Sequence, residues 1–256
     1  MTNKFSKTVS FIVIILVLYS VLSVDYSSLE YFTLSSFKNV LIGLSKPDWN
    51  YLYDGSGEDV FSLMILTINI AILGTFIGAF LAYPLSLVAS KNLYSKLIGI
   101  PKFGKFVLNV LRAFPELIYA IIFVKVVGPG PFAGVLAIGV HHIGMMGKLF
   151  AEEMEASSDY SFEAQESVGA SFWQTMFYSR IPQVMPIQAS LILTHLEIAV
   201  RSAATLGLVG AGGIGAPLIF AIQARNWGKV SIILIAVILT VLIIDSISAK
   251  IRKNLQ

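Results

Sequence analysis

Cysteine is absent from the 256-residue chain, and only 13% of its residues are charged. The first absence excludes disulfides and thiolate metal centres, so redox chemistry says nothing about the compartment. The second excludes an ordinary soluble domain, in which about a quarter of residues carry charge. No phosphate loop of the form G-x-x-x-x-G-K-[ST] occurs, so any nucleotide hydrolysis belongs to another polypeptide. The sparse polar residues offer no nucleophile, acid–base pair or metal-ligand set with recognisable spacing, which argues against catalysis and against a metal. What is abundant is apolar surface: 56% of residues are hydrophobic and the mean hydropathy is +0.79. The net charge of +3 is modest and calls for no nucleic-acid partner, and its distribution carries more information than its sum.

A helix rises about 1.5 Å per residue, so crossing roughly 30 Å of hydrocarbon takes about 20 mostly apolar residues. Six segments qualify: Val9 to Val24, Phe61 to Ala89, Phe106 to Val127, Phe132 to Phe150, Val184 to Leu208 and Val230 to Ala249. The fold class expected is therefore all-α, a polytopic membrane protein surrounded by lipid. The first segment follows Lys4 and Lys7 and has two readings, a signal peptide or a retained anchor. The anchor is favoured because no small-x-small cleavage site follows.

Orientation follows from lysine and arginine, which cytoplasmic segments retain. With the N-terminus inside, the cytoplasmic segments hold Lys4, Lys7, Lys91, Lys96, Lys102, Lys105, Lys148, Arg180, Lys250, Arg252 and Lys253. The outer segments keep Lys38, Lys46, Arg225 and Lys229, while Arg112, Lys125 and Arg201 fall within or beside spans. Both termini are therefore expected in the cytoplasm. The outer stretch from Asp25 to Asp59 is acidic and aromatic, with Tyr26, Tyr31, Phe32, Trp49, Tyr51 and Tyr53. It reads as an ordered cap whose aromatics lie at the membrane interface.

One polar, helix-compatible interruption separates two very apolar stretches, from Glu163 to Pro182, reading EAQESVGASFWQTMFYSRIP. Glu163 to Val168 suits one short helix and Ser171 to Tyr178 another. Gly169 permits a sharp break between them, and Pro182 is expected to stop the second. Phe172, Trp173, Met176 and Phe177 recur at i, i+1, i+4 and i+5, which predicts four large apolar side chains on one helical face. Periodicity by itself fits two occupants of that face, a docked partner or the inner leaflet.

The spacing of Glu163-Ala164, Gly169 and Ile181-Pro182 resembles the cytoplasmic "EAA" coupling loop of bacterial ABC importer permeases. Gln165 stands where that family's second Ala does, and Ser179 where its usual Ile does. The resemblance implies that residues 157–182 dock on a separate ATPase, which carries the ATP and Mg, and that this chain holds no cofactor.

Four further motifs appear in order: Arg112-Ala-Phe-Pro115-Glu116, Gly128-Pro-Gly130-Pro131-Phe-Ala-Gly134, His141-His142-x-Gly144-x-x-Gly147-Lys148, and Glu197-x-x-x-Arg201 running on to Gly207, Gly210, Gly212, Gly213 and Gly215. Together they resemble the permease subunit of phosphonate ABC importers, from Phe61 to the C-terminus. Methionine importer permeases carry a similar glycine-rich stretch. The resemblance implies a five-helix core over 60–256, preceded by an anchor and extracytoplasmic segment over 1–59. It further implies a homodimer with the path at its axis, ATPase subunits below and a solute-binding protein above, in the bacterial cytoplasmic membrane. The glycine run also satisfies G-x-G-x-x-G, but a dinucleotide site needs it between a soluble strand and a helix. Here it closes a membrane span, where glycines allow close packing or an unwound turn.

Ionisable groups inside a bilayer are costly and are pathway candidates by default. They are Arg112, Glu116, Lys125, His141, His142, Lys148, His195, Glu197, Arg201 and Asp245. An oxyanion needs donors, and Arg201, deep in the fifth span, is the foremost candidate. Two pairs share i, i+4 spacing, Glu197 with Arg201 and Arg112 with Glu116, and simple mutual neutralisation fits the first equally well. Arg112 and Glu116, interrupted by Pro115, read as a gate or kink. Adjacent His141 and His142 point about 100° apart on a helix, which excludes an i, i+4 metal pair and leaves helix–helix hydrogen bonding or the solute path. Gly74-x-x-x-Gly78 and Gly130-x-x-x-Gly134 predict close helix contacts. An ion-coupled secondary transporter would use the same buried acids and histidines, but leaves the coupling loop unexplained.

Overall fold

A computed structural model describes residues 2–27, 33–94, 99–158 and 160–255. Tyr31, Phe32 and Lys96 lie outside them. The described residues form two units, Met1–Ser45 and Lys46–Gln256. The first contains α1 (Thr2–Ser23) and α2 (Leu34–Leu44). The apolar part of α1, Val9–Ser23, is a shorter helix than a full crossing requires. The outer stretch was expected as a cap, and α2 is a helix within it, started by the Thr33 side chain accepting the Ser36 N–H.

The second unit opens on a turn, Trp49–Tyr51, pinned to the last helix. The Asp48 N–H donates to the Gly228 carbonyl at 3.1 Å, and the Lys229 ammonium lies 4.4 Å from the centre of the Tyr51 ring. The main helices follow: α3 (Val60–Ala89), α4 (Gly99–Ala113), α5 (Glu116–Val127) and α6 (Pro131–Ala156). After them come α7 (Tyr160–Ser167), α8 (Phe172–Thr175), α9 (Ile181–Leu206), α10 (Gly215–Gln223) and α11 (Trp227–Leu255). Among the described residues four helices are long and apolar enough to cross a membrane, or five with α4 and α5 taken as one span.

The third predicted span is corrected by that pair. Phe106 to Val127 is not one straight helix, since α4 and α5 meet at 82°. Pro115, at φ −57° and ψ 144°, has left the helical region and has no N–H to carry the ladder across. By contrast α3 runs unbroken through Pro84.

Helices pack through small residues. The central core of Ala71, Ala133, Ala137, Ala199, Ala203 and Ala211, with Ile70, Ile138 and Val200, brings α3, α6 and α9 together. A Cβ on Gly78 would lie 2.6 Å from the Cβ of His142, so α3 and α6 touch there only because residue 78 has no side chain. Gly74 likewise faces Ile138. Gly134 faces the carbonyl of Ala211, so this motif meets a turn rather than the helix partner expected.

At the start of α3 the Asp59 carboxylate accepts the Ser62 N–H at 2.8 Å, which caps the helix and holds the carboxyl below the ordinary range. A depressed carboxyl contributes stability above its unfolded pKa and loses it as pH falls through the folded value. Asp59→Ala is therefore expected to lower the melting temperature in detergent at pH 7, and the gap to wild type to close below about pH 3.9.

Candidate functional site

The segment from Glu163 to Pro182 is built from local signals. The N–H of Gly169 donates to the Glu166 carbonyl and that of Ala170 to the Gln165 carbonyl, at 2.9 and 3.1 Å. With Gly169 at φ +86°, this is the glycine-closed end of α7. Ser171 then starts α8, its N–H donating to the Gln174 side-chain oxygen at 2.8 Å in a capping box. The break falls at Gly169, as expected.

Pro182 does not stop the second helix. A π turn, Met176–Arg180, carries α8 into α9, with Pro182 in the first turn of α9 and the Ile181 N–H donating to the Met176 carbonyl. The one-residue register step of a π turn leaves a position with no i−4 acceptor to lose, and proline fits there. The apolar face also differs from expectation. Trp173, Phe177 and Tyr178 stand 63%, 60% and 77% exposed, with Phe172, Glu163, Ala164 and Pro182 also exposed and Ile181 half-buried, but Met176 turns inward at 1%. Beside these rings a shallow hollow of about 430 Å³ is lined by Gln165, Val168, Gly169, Ala170, Gln174 and Tyr178.

Inside the spans, the expected Glu197–Arg201 pair is not made. The Glu197 carboxylate sits 3.0 Å from the Arg252 guanidinium, which also donates to the Thr194 hydroxyl at 2.7 Å. A partner on another helix wins because Glu197 faces inward and Arg201 outward along α9. Arg201 is an exposed cation with no ion pair among the described residues. Arg112 is exposed at the end of α4, and Glu116 begins α5, so their i, i+4 spacing is undone by the bend. Glu116 instead lies near Ser202, next to Arg201 on α9.

The chain's three histidines converge on α6 and α9. His141 lies beside the Phe114 carbonyl at the bend, where the Tyr119 hydroxyl donates to the Leu111 carbonyl at 2.7 Å. His142, 1% exposed, meets His195 edge-on at 5.3 Å between ring centres. The His195 Nδ1 lies 2.9 Å from its own Leu191 carbonyl. No group of three or more metal-ligating side chains forms among the described residues.

The glycine run is an unwound turn between α9 and α10. Gly210, Gly212 and Gly213 all have positive φ, from 76° to 86°. Its backbone is held by neighbours: the Gly130 N–H donates to the Gly210 carbonyl and the Ile214 N–H to the Thr67 hydroxyl, both at 2.9 Å. Gly207 and Gly215 pack backbone to backbone.

The chain matches the family described as "binding-protein-dependent transport system inner membrane component" over residues 84–255. It belongs to that family. The permease is 35% identical over 195 residues to the phosphite transport system permease protein PtxC of Stutzerimonas stutzeri, covering 75% of this chain and 70% of that one. It is 34% identical over 203 residues to the phosphate-import permease protein PhnE of Mycolicibacterium smegmatis, covering 79% of this chain but 38% of that protein. Its fold matches the inward-facing MetNI methionine ABC transporter with a TM-score of 0.64 at 16% identity, covering 88% of this chain and 100% of that one.

Three residues that matter in the permease had no distinct signal in the sequence. Thr67 reads as a polar residue in an apolar run, and Arg180 and Arg252 as cytoplasmic charges. The glycine turn yields a direct test. A Cβ on Gly212, at φ +81°, would lie 2.7 Å from the backbone of Pro131. Left-handed strain of about 1–2 kcal/mol adds to that overlap. Gly212→Ala is expected to lower the melting temperature in detergent, whereas Gly169→Ala, which meets open space, carries the strain without the clash.

Proposed function

We propose that this permease is the membrane-spanning subunit of an ATP-driven importer of small phosphorus oxyanions, with phosphonates as the preferred class. The relatives named for phosphite and phosphate support the class. The ordered motifs from Arg112 to Gly215 support phosphonate within it. The observation that carries the reading is the coupling segment. Two short helices joined at Gly169 present Trp173, Phe177 and Tyr178 to a partner beside a ready hollow. Rings so exposed, outside an apolar run, fit burial against another protein.

In this reading residues 1–59 are an anchor and outer segment, and residues 60–256 form the transport domain. Two copies pair around the path, in the bacterial cytoplasmic membrane with both termini inside. Each copy meets an ATPase through Glu163, Ala164, Gly169, Phe172, Trp173, Phe177, Ile181 and Pro182. A solute-binding protein delivers substrate from outside. ATP and Mg act on the ATPase, and closure of the ATPases turns the path outward.

The path follows the polar face of α5 and α9. An arginine in a span is expensive unless it meets water, solute or an opposite charge. Arg201 has lost its nearest acid to Arg252, so its guanidinium is available to phosphoryl oxygens. Arg112 and Glu116 flank the bend as a gate, His141 and His142 brace it, and Glu197 fixes α9 against α11. Gly210, Gly212, Gly213 and Gly215 close the outer end.

The test is ATP hydrolysis and uptake in lipid vesicles holding the permease, its ATPase and its binding protein, with an alkylphosphonate, phosphite, phosphate or methionine. Phosphonate-stimulated hydrolysis that Gly169→Pro abolishes is the expected result. Stimulation by methionine only would overturn the substrate. Uptake by the permease without the ATPase, driven by an ion gradient, would overturn the importer. Arg201→Gln should cut uptake at saturating binding protein by about tenfold or more, the worth of one charged hydrogen bond, while the ATPase stays bound.

A further inference from the structure

Arg180 occupies an unusual position. It closes the π turn between α8 and α9, in a segment rich in exposed side chains, yet it is 1% exposed. One guanidinium nitrogen donates to the carbonyl of Ser157 at 3.0 Å, to that of Met154 at 3.4 Å, and to the Ser157 hydroxyl. Because α6 ends at Ala156, these oxygens belong to its last turn and cap, where carbonyls lack helical donors and the helix dipole favours a cation. The same guanidinium lies 5.2 Å from the centre of the Phe162 ring on α7. One side chain thus ties the end of α6, the helix α7 and the turn entering α9.

Little else anchors α7, which has no buried residue of its own. On the other side, α6 leads directly to the bend. Gly144 packs against the backbone of Leu111 and Arg112, and His141 lies beside the Phe114 carbonyl. Near the end of α6 Glu155 pairs with Lys105 of α4 at 2.8 Å. A displacement of the α6 terminus therefore reaches the middle of α4 at Lys105 and its last turn at Leu111 and Arg112. A π turn by itself is a yielding link, since its register can step by one residue.

We propose that Arg180 is the positioning residue through which movement of the coupling segment drives α6, and through α6 the bend between α4 and α5. This rests on the docking of an ATPase proposed above. A planar guanidinium is suited to the task, because it serves several carbonyls and one ring face at once, which an ammonium cannot do. Loss of the clamp leaves the docking face intact and lets α7 and α8 move without α6.

The experiment uses the complete reconstituted complex with wild type, Arg180→Met and Arg180→Lys. It reads ATPase association, ATP hydrolysis and uptake per ATP, with spin labels at the exposed Glu152 and Glu166 reporting the α6–α7 distance. The proposal expects Arg180→Met to retain the ATPase and to hydrolyse ATP while uptake per ATP falls by at least about fivefold, the low end of typical site-to-site coupling. The label distance should spread, and Arg180→Lys should recover part of the loss. If Arg180→Met fails to assemble, Phe162→Leu loosens the clamp from the α7 side, and the same ratio is read. Unchanged uptake per ATP, or uptake and hydrolysis falling in parallel, would reduce Arg180 to a helix cap and overturn the proposal. A wild-type permease that binds no ATPase refutes the docking instead, so the two failures are distinguishable.

Discussion

Hydrocarbon offers no hydrogen bonds, so every interruption of a membrane helix must have its backbone groups satisfied by the protein itself. Among the described residues, three of the breaks have a freed backbone group met by a side chain from another element. At the bend between α4 and α5 the Tyr119 hydroxyl donates to the Leu111 carbonyl. At the turn between α9 and α10 the Thr67 hydroxyl of α3 takes the Ile214 N–H. At the end of α6 Arg180 takes the carbonyls of Met154 and Ser157. These donors and acceptors fix the bend, the turn and the segment after α6 in place.

The same economy governs charge. Glu197 is buried and needs a cation, and Arg252 of α11 supplies it, so that one ion pair joins α9 to α11. A buried acid robbed of that partner would be strongly destabilising. Arg201 is thereby left as an exposed guanidinium next to Ser202, which lies near Glu116. Elsewhere the contact faces are alanine and glycine, which let backbones approach until side chains such as His142 fill the remaining space.

Where a structural decision is local, a few neighbouring residues announce it. Gly169 with Ser171 and Gln174 encodes a stop and a start within six positions, and the break lies there. Pro115 announces an interruption, though not its size. Where the decision depends on a partner distant in the chain, spacing misleads. Glu197 and Arg201 stand at an ordinary i, i+4 separation, and a residue 55 positions further on takes the acid. Pro182 looks like a terminator, yet the π turn before it lets the helix continue. Met176 shares a periodic stripe with three aromatics, but the helix it sits in changes register and turns it inward.

The sequence by itself determined that this is an all-helical membrane protein with a polar, glycine-broken segment between its spans, because hydropathy and glycine act over a few residues and need no partner. It also carried the ordered motifs by which the family is recognised. The tertiary structure decided which carbonyls are freed, which side chains close them, which acid meets which base and which arginine is left outside. Most of those outcomes depend on distances between residues far apart in the chain, such as Arg180 with Met154, 26 positions apart, and Ile214 with Thr67, 147 apart. No local pattern contains such distances, because in a bilayer the partner of a polar group is whatever the packing of helices brings beside it.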